Sequence, residues 1–242
     1  MEAVRQLRAQ GVKVVLASTR SYHGCQSVVD VLGIDTPVVC YEGAQVRGSR
    51  GQALYNVTMD MESARQIAAY CDRARLELSI TFADGRTFVR SRRRRSGGQG
   101  RLWVKTVPRY VPVVKEPPSR MIVTGESDAQ RLYTEFGDAL ADRIRFSRAY
   151  DRGRLVSVTM VNVETSKGQA LSFVCEQMGI PRSATLSLGD NEADVELFKA
   201  SGTSVAMGNA EPSVKQAAEY TAPTNDEDGF AWAMRKFVLE AS

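Results

Sequence analysis

Apolar side chains fall in short unbroken runs towards both ends of the chain and in alternating runs in its middle. Residues 4–10 carry helical spacing, 12–17 form a run of strand length that is apolar apart from Lys13, 21–32 are helical again and stop at Gly33, and 37–41 form the next run. Buried strand-length runs separated by helices are the pattern of a parallel sheet covered on both faces. The rhythm returns late in the chain. A helix over 167–178 is broken by Gly179 and Pro181, and a strand over 185–188 leads to a helix over 195–200. A strand over 204–207 and helices over 212–218 and 230–239 close it.

The middle differs. Residues 61–75 read as a helix, and 78–82 alternate like a strand with one wet face. Asp84-Gly85 is a turn pair, so 86–90 return as the other arm of a hairpin. A strand over 119–124, a helix over 128–140 and a strand over 154–160 follow. This predicts an α/β protein with three segments: core over 1–56, an inserted α+β domain over 57–158, and core again over 159–242.

Composition narrows the class. The 242 residues are 43% hydrophobic and 25% charged, ordinary for a globular protein. No apolar run is long enough to span a bilayer and no signal peptide opens the chain, so no membrane role is expected. Cys25, Cys40, Cys71 and Cys175 are scattered without metal-ligand spacing, which predicts reduced thiols in a cytoplasmic protein. The one histidine, His23, argues against histidine-based metal sites and a Ser-His-Asp hydrolase; a solvated surface position is expected for it. The net charge of +4 comes largely from Arg90 and Arg92 to Arg95, beside the glycine-rich 96–100. This reads as a solvated loop, since no aromatics are interleaved and no nucleic-acid module is recognisable; nucleic acid is not the expected partner.

The chemistry is concentrated where the apolar run 184–188 meets Gly189-Asp190. Helix-forming residues begin at once, so Asp190 and Asp194 lie at a strand end, where open α/β sheets bind their ligands. Clustered carboxylates on a tight turn suit Mg²⁺. The plainer alternative is a helix start capped by acidic side chains.

Three further segments share this arrangement. Val14-Val-Leu-Ala-Ser18-Thr19-Arg20 ends a strand in a hydroxyl, Ser166-Lys167-Gly168 opens a helix with a lysine, and Asn209 and Asn225 to Gly229 lie in turns near the end. Together with Gly189-Asp190 to Asp194, these resemble the haloacid-dehalogenase-type phosphatases of the Cof-like group, in order, over 1–56 and 159–242. The resemblance implies a Rossmann-like core with an α+β cap. It also implies hydrolysis of a small phosphorylated metabolite, such as a sugar phosphate or nucleotide, through an aspartyl-phosphate. In that scheme Ser18 and Lys167 are catalytic, and Ser18, Thr19, Arg20 and Lys167 hold the phosphate. Asp190 binds Mg²⁺, Asp194 orients the waters of the metal, and Asn191 is a further candidate ligand.

The family's Asp-x-Asp-Gly nucleophile segment has no counterpart at a strand end. The one such string, Asp226 to Gly229, follows a short strand and a Pro/Asn turn, and is expected to cap the last helix. The chain is therefore expected to open just after the nucleophile strand, with the sheet lacking that strand and self-association through the open edge as one consequence. Thr19, Glu42 and Ala193 also depart from the family's usual Gly, Asn and Asn. The rival reading is a catalytically inactive relative that binds a phosphorylated ligand or a protein partner.

Overall fold

The computed structural model describes residues 1–90 and 104–240. They form two compact units, one made of Met1–Tyr55 and Ser166–Ser242, the other of Asn56–Thr165.

The first unit begins with helix α1 (Glu2–Ala9). Helix α2 (Tyr22–Leu32) follows, capped by the Ser21 side chain, which accepts from Gly24 N, and closed by Gly33. Strands β1 (Val38–Cys40), β2 (Gln45–Arg47) and β3 (Ala53–Asn56) form a sheet in that order.

The expected strand over 12–17 is strand-like in packing but not in hydrogen bonding. Val12 and Val14 pack with Ala3, Leu7 and Met234, whereas Val15 and Ala17 pack with Val39, Ala170 and Val174 on the other face. Its ladder to β1 is a single parallel bridge, Ala17 to Val39. The cause lies opposite. Pro37 has no N–H to donate, and the Thr36 hydroxyl takes the Val14 carbonyl instead, at 2.5 Å. Pairing starts only where Val39 N donates to Leu16 O at 2.8 Å and Ser18 N to Val39 O at 2.9 Å.

The second unit contains α3 (Met61–Ala74), β4 (Leu78–Thr81), β5 (Thr87–Val89), β6 (Val104–Thr106), β7 (Arg120–Thr124), α4 (Glu126–Phe136), β8 (Ile144–Asp151) and β9 (Arg154–Asn162). Its six strands run in the order β6-β5-β4-β7-β9-β8. Ile67, Leu78, Ile80, Met121, Leu132, Val158 and Met160 share one buried core between the sheet and the helices. The change of unit comes after Thr165 rather than at 158/159, because β9 stays paired to β8 as far as Asn162. Arg90 is not solvated: it forms a largely buried ion pair with Asp72 and lies 4.6 Å over the Tyr110 ring. Asp72 is fixed there because it also accepts from Tyr110 N and Val111 N. Arg92 to Arg95 lie outside the described residues.

The first unit resumes with α5 (Lys167–Met178), β10 (Leu186–Gly189), α6 (Val195–Ala200), β11 (Thr203–Ala206), α7 (Pro212–Ala217), β12 (Tyr220–Thr221) and α8 (Gly229–Met234), which continues as a π-helical stretch over Arg235–Leu239. β10, β11 and β12 are parallel, in that order. Among the described residues β10 pairs on its β11 side alone. Asp226 to Gly229 lies in a turn as expected: Asn225–Glu227 is a 3-10 turn, and Asp228, at φ 56°, precedes α8 without a side-chain capping bond. No helix of the described residues is long and apolar enough to cross a membrane.

Candidate active site

Ser18 follows the bridge at Ala17, where the chain leaves β1. Its hydroxyl accepts from Arg20 N at 3.1 Å, which closes the turn on itself. The residues after β1 hold the same turn from below: Tyr41 N donates to Arg20 O at 3.0 Å and Glu42 N to Ser18 O at 3.2 Å. Thr19 and Arg20 are exposed. His23, just beyond, is exposed as expected.

Tyr41, Glu42 and Gly43 all have positive φ, at 50°, 61° and 101°. Gly43 is required here, because a Cβ would sit 2.2 Å from Ser166 O and 2.7 Å from Lys167 N. That close approach joins the Ser18 turn to the start of α5. There Ser166 accepts from Gly168 N at 3.0 Å and Gln169 N at 3.3 Å, capping the helix and fixing Lys167 as its first residue.

Lys167 is buried at 3% side-chain exposure and its Nζ lies 2.6 Å from Asp194 Oδ1, itself at 6%. Asp194 Oδ2 accepts from Asp190 N at 3.0 Å and Asn191 N at 3.2 Å. Both oxygens of Asp194 are therefore engaged with protein groups, and its role here is to shape the turn that presents Asp190. Gly189 permits this, since a Cβ there would lie 2.2 Å from Asp194 Cβ. Asn191 and Asp194 form a reciprocal capping box, with Asn191 Oδ1 accepting from Ala193 N at 3.0 Å. The motif is thus a capped helix start, the plainer of the two readings its sequence allows, with Asp190 left exposed beside it.

Asp190 is the exposed carboxylate of the group. The amide nitrogens of Asn191 and Asn209 approach its two oxygens, at 3.3 Å and 3.5 Å, and Asn209 is positioned by accepting from Asn225 N at 3.1 Å. Among the described residues no three His, Cys, Asp or Glu side chains converge on one point. One exposed carboxylate at a strand end still fits Mg²⁺, which retains several waters and shares a substrate phosphate. Contacts thus run without a break from Ser18 through Glu42, Gly43, Ser166, Lys167 and Asp194 to Asp190. Sequence reasoning found both ends of this chain; it treated Glu42 only as a departure and passed over Gly43 and Asn209's carboxylate contact.

A family model of haloacid dehalogenase-like hydrolases matches residues 1–234. The chain is 27% identical to Phosphatase YwpJ of Bacillus subtilis (strain 168), over 98% of this chain and 91% of that protein. A shorter stretch, 31% of this chain and 30% of the relative, is 42% identical to the 5-amino-6-(5-phospho-D-ribitylamino)uracil phosphatase YcsE of the same organism. Among solved structures, a haloacid dehalogenase-like hydrolase from Bacteroides thetaiotaomicron shares the fold with a TM-score of 0.79 at 21% identity, over 97% of this chain and 90% of its own. The HAD subclass IIB sugar phosphatase BT4131 does so with a TM-score of 0.77 at 20% identity, over 98% and 89%. With a family model spanning nearly its whole length, and with phosphatases among its relatives, the chain belongs to the haloacid dehalogenase-like hydrolases.

Proposed function

We propose that this hydrolase cleaves phosphate monoesters of small phosphorylated metabolites, sugar phosphates first among them, with Mg²⁺ as its metal. The observation that supports this reading is the continuous series of contacts that runs from Ser18 through Lys167 to Asp190. A phosphoryl group carries charge on several oxygens, and its transfer is governed by positioning and charge neutralisation.

Each residue then has a role. The Ser18 hydroxyl and the exposed Thr19 and Arg20 grip phosphate oxygens. The Lys167 ammonium, held rigid by Asp194, offsets their charge. Asp190 would hold Mg²⁺, which supplies further charge neutralisation when bound. In the aspartyl-phosphate scheme that the family resemblance implies, the Asp226 to Gly229 string is not assigned the attacking carboxylate, since it forms the turn before α8.

The test measures two things on the same protein: phosphate release from a panel of sugar phosphates with and without Mg²⁺, and the melting-temperature shift given by inorganic phosphate. Mg²⁺-dependent release supports the reading in full. A shift without release, lost in Ser18→Ala, supports the phosphate site and favours the ligand-binding alternative for this chain. Neither release nor shift sinks the reading.

A further inference from the structure

Three turns of the first unit meet around the Asp190 carboxylate. The first is the Asp190 turn itself, after β10. The second follows β11, where Met207 N donates to Gly189 O at 2.9 Å and so runs beside the end of β10. The third is the turn over 224–228 before α8. Asn209 links all three: its Nδ2 lies 3.5 Å from Asp190 Oδ2, and its Oδ1 accepts from Asn225 N at 3.1 Å.

The third turn is a firm support. Thr224 and Glu227 form a reciprocal capping box, in which Glu227 Oε2 accepts from Thr224 N at 3.1 Å and from the Thr224 hydroxyl at 2.8 Å. The turn also lies directly on the second: Gly208 N donates to Pro223 O at 3.1 Å, and a Cβ at Gly208 would sit 2.7 Å from Thr224 N. Asn225 is the first residue of its helical turn, so its N–H has no acceptor within that turn. Asn209 Oδ1 supplies the acceptor.

That bond decides which way the Asn209 amide faces. Its oxygen can only accept and its nitrogen can only donate. With the oxygen held by an N–H, the nitrogen is turned to the Asp190 carboxylate. Asn191 Nδ2 approaches the other oxygen at 3.3 Å. Two long contacts restrict the carboxylate but leave most of its lone-pair sites open to a cation.

We propose that Asn209 is a positioning residue for Asp190 and takes its orientation from the Asn225 amide, so that the turn before α8 tunes the affinity of Asp190 for a divalent cation. The link between the turns stands on the hydrogen bonds alone; its effect on the cation rests on the metal reading of Asp190 above. Groups that orient a metal ligand in this way typically contribute about 10–100-fold in affinity.

The discriminating variant is Asn225→Pro, which removes the N–H that holds Asn209 without altering Asn209 or Asp190. Proline is favoured at the first position of a helical turn. Thr224 before it is already extended, at φ −68° and ψ 168°, as a following proline requires. Asn209→Ala is the second variant, and Asn209 is exposed, so its loss leaves the core intact.

The full chain, these two variants, their combination and Asp190→Asn are titrated with Mn²⁺, followed by electron paramagnetic resonance. Nitrogen–proton correlation spectra, taken before Mn²⁺ is added, record the Asn209 side-chain amide, assigned by its disappearance in Asn209→Ala. The Asn209 amide resonances are expected to move in both Asn225→Pro and Asp190→Asn. Mn²⁺ should bind about tenfold more weakly to each of Asn225→Pro and Asn209→Ala, and no more weakly to the combined variant than to Asn209→Ala alone. Asn209 resonances that stay in place in Asn225→Pro, or an unchanged Mn²⁺ affinity there, overturn the proposal. An unmodified chain that binds no Mn²⁺, or Asp190→Asn that binds it equally well, overturns the metal reading and the effect on affinity with it. The amide resonances then still judge the link between the turns.

Discussion

The buried pair of Lys167 and Asp194 is the most demanding feature of the site, and replacing its members one at a time measures it. With side-chain exposures of 3% and 6% and a separation of 2.6 Å, neither charge has water to fall back on. Removing one partner of such a pair costs on the order of 3–5 kcal/mol, chiefly because the other charge is left buried. That is a large part of a typical net stability of about 5–15 kcal/mol. Asp194→Asn keeps an oxygen for the amides of Asp190 and Asn191 but strands the Lys167 ammonium, so it should lose about 3–5 kcal/mol. Lys167→Met strands a carboxylate that still accepts two amides, and should lose less, about 2–3 kcal/mol. The double variant is neutral on both sides and should lose little more than Lys167→Met alone, giving a coupling energy of about 2 kcal/mol or more. Urea unfolding at pH 7, followed by far-ultraviolet circular dichroism, measures all four proteins. Additive losses, or single losses below about 1 kcal/mol, would refute the claim that these charges depend on each other.

Two further substitutions test the supports of each unit. Gly43→Ala puts a Cβ 2.2 Å from Ser166 O at a φ of 101°; it should lower stability by about 2–4 kcal/mol in thermal unfolding and weaken phosphate binding, as strain and overpacking add. Asp72→Ala removes the acceptor of Tyr110 N and Val111 N and the partner of buried Arg90. It should cost about 3 kcal/mol and raise hydrogen exchange at both amides, with Asp72→Asn recovering part of the loss.

What the sequence disclosed follows from how local each signal was. Ser21 and Ser166 begin helices through their own side chains, and Gly33 and Gly179 end them in left-handed conformations, so those boundaries were legible. The strand ending at Gly189 and the helix after Asp194 were legible for the same reason. β8 was not: Ile144–Asp151 carries two arginines, a serine and an aspartate on an edge strand, where half-exposure blurs the alternation. β2 was missed because its Gln45 and Arg47 are polar yet buried, with Arg47 Nε donating to Gln45 Oε1 at 3.1 Å. The segment 12–17 was expected to pair as a strand, but Pro37 and the Thr36 hydroxyl stand where ladder donors would be. In the site, Asp190 followed from its strand, whereas the engagement of Asp194 with Lys167 depends on packing that spacing alone does not encode.

The long excursion of the chain between Tyr55 and Ser166 also bears on how the site is assembled. Gly43 must come to rest against Ser166, with the whole second unit strung between them in sequence. Within that unit the two ends are tied together, since Asn162 Nδ2 donates to Thr58 O at 2.8 Å. Once folded, it converts a loop of roughly 120 residues into one of roughly 20, and the entropy cost of closure falls by about 1.6 kcal/mol. If the inserted unit folds first, it acts as a splint that lowers the entropy cost of bringing Ser166 and Lys167 to the Ser18 turn, where the phosphate site is proposed.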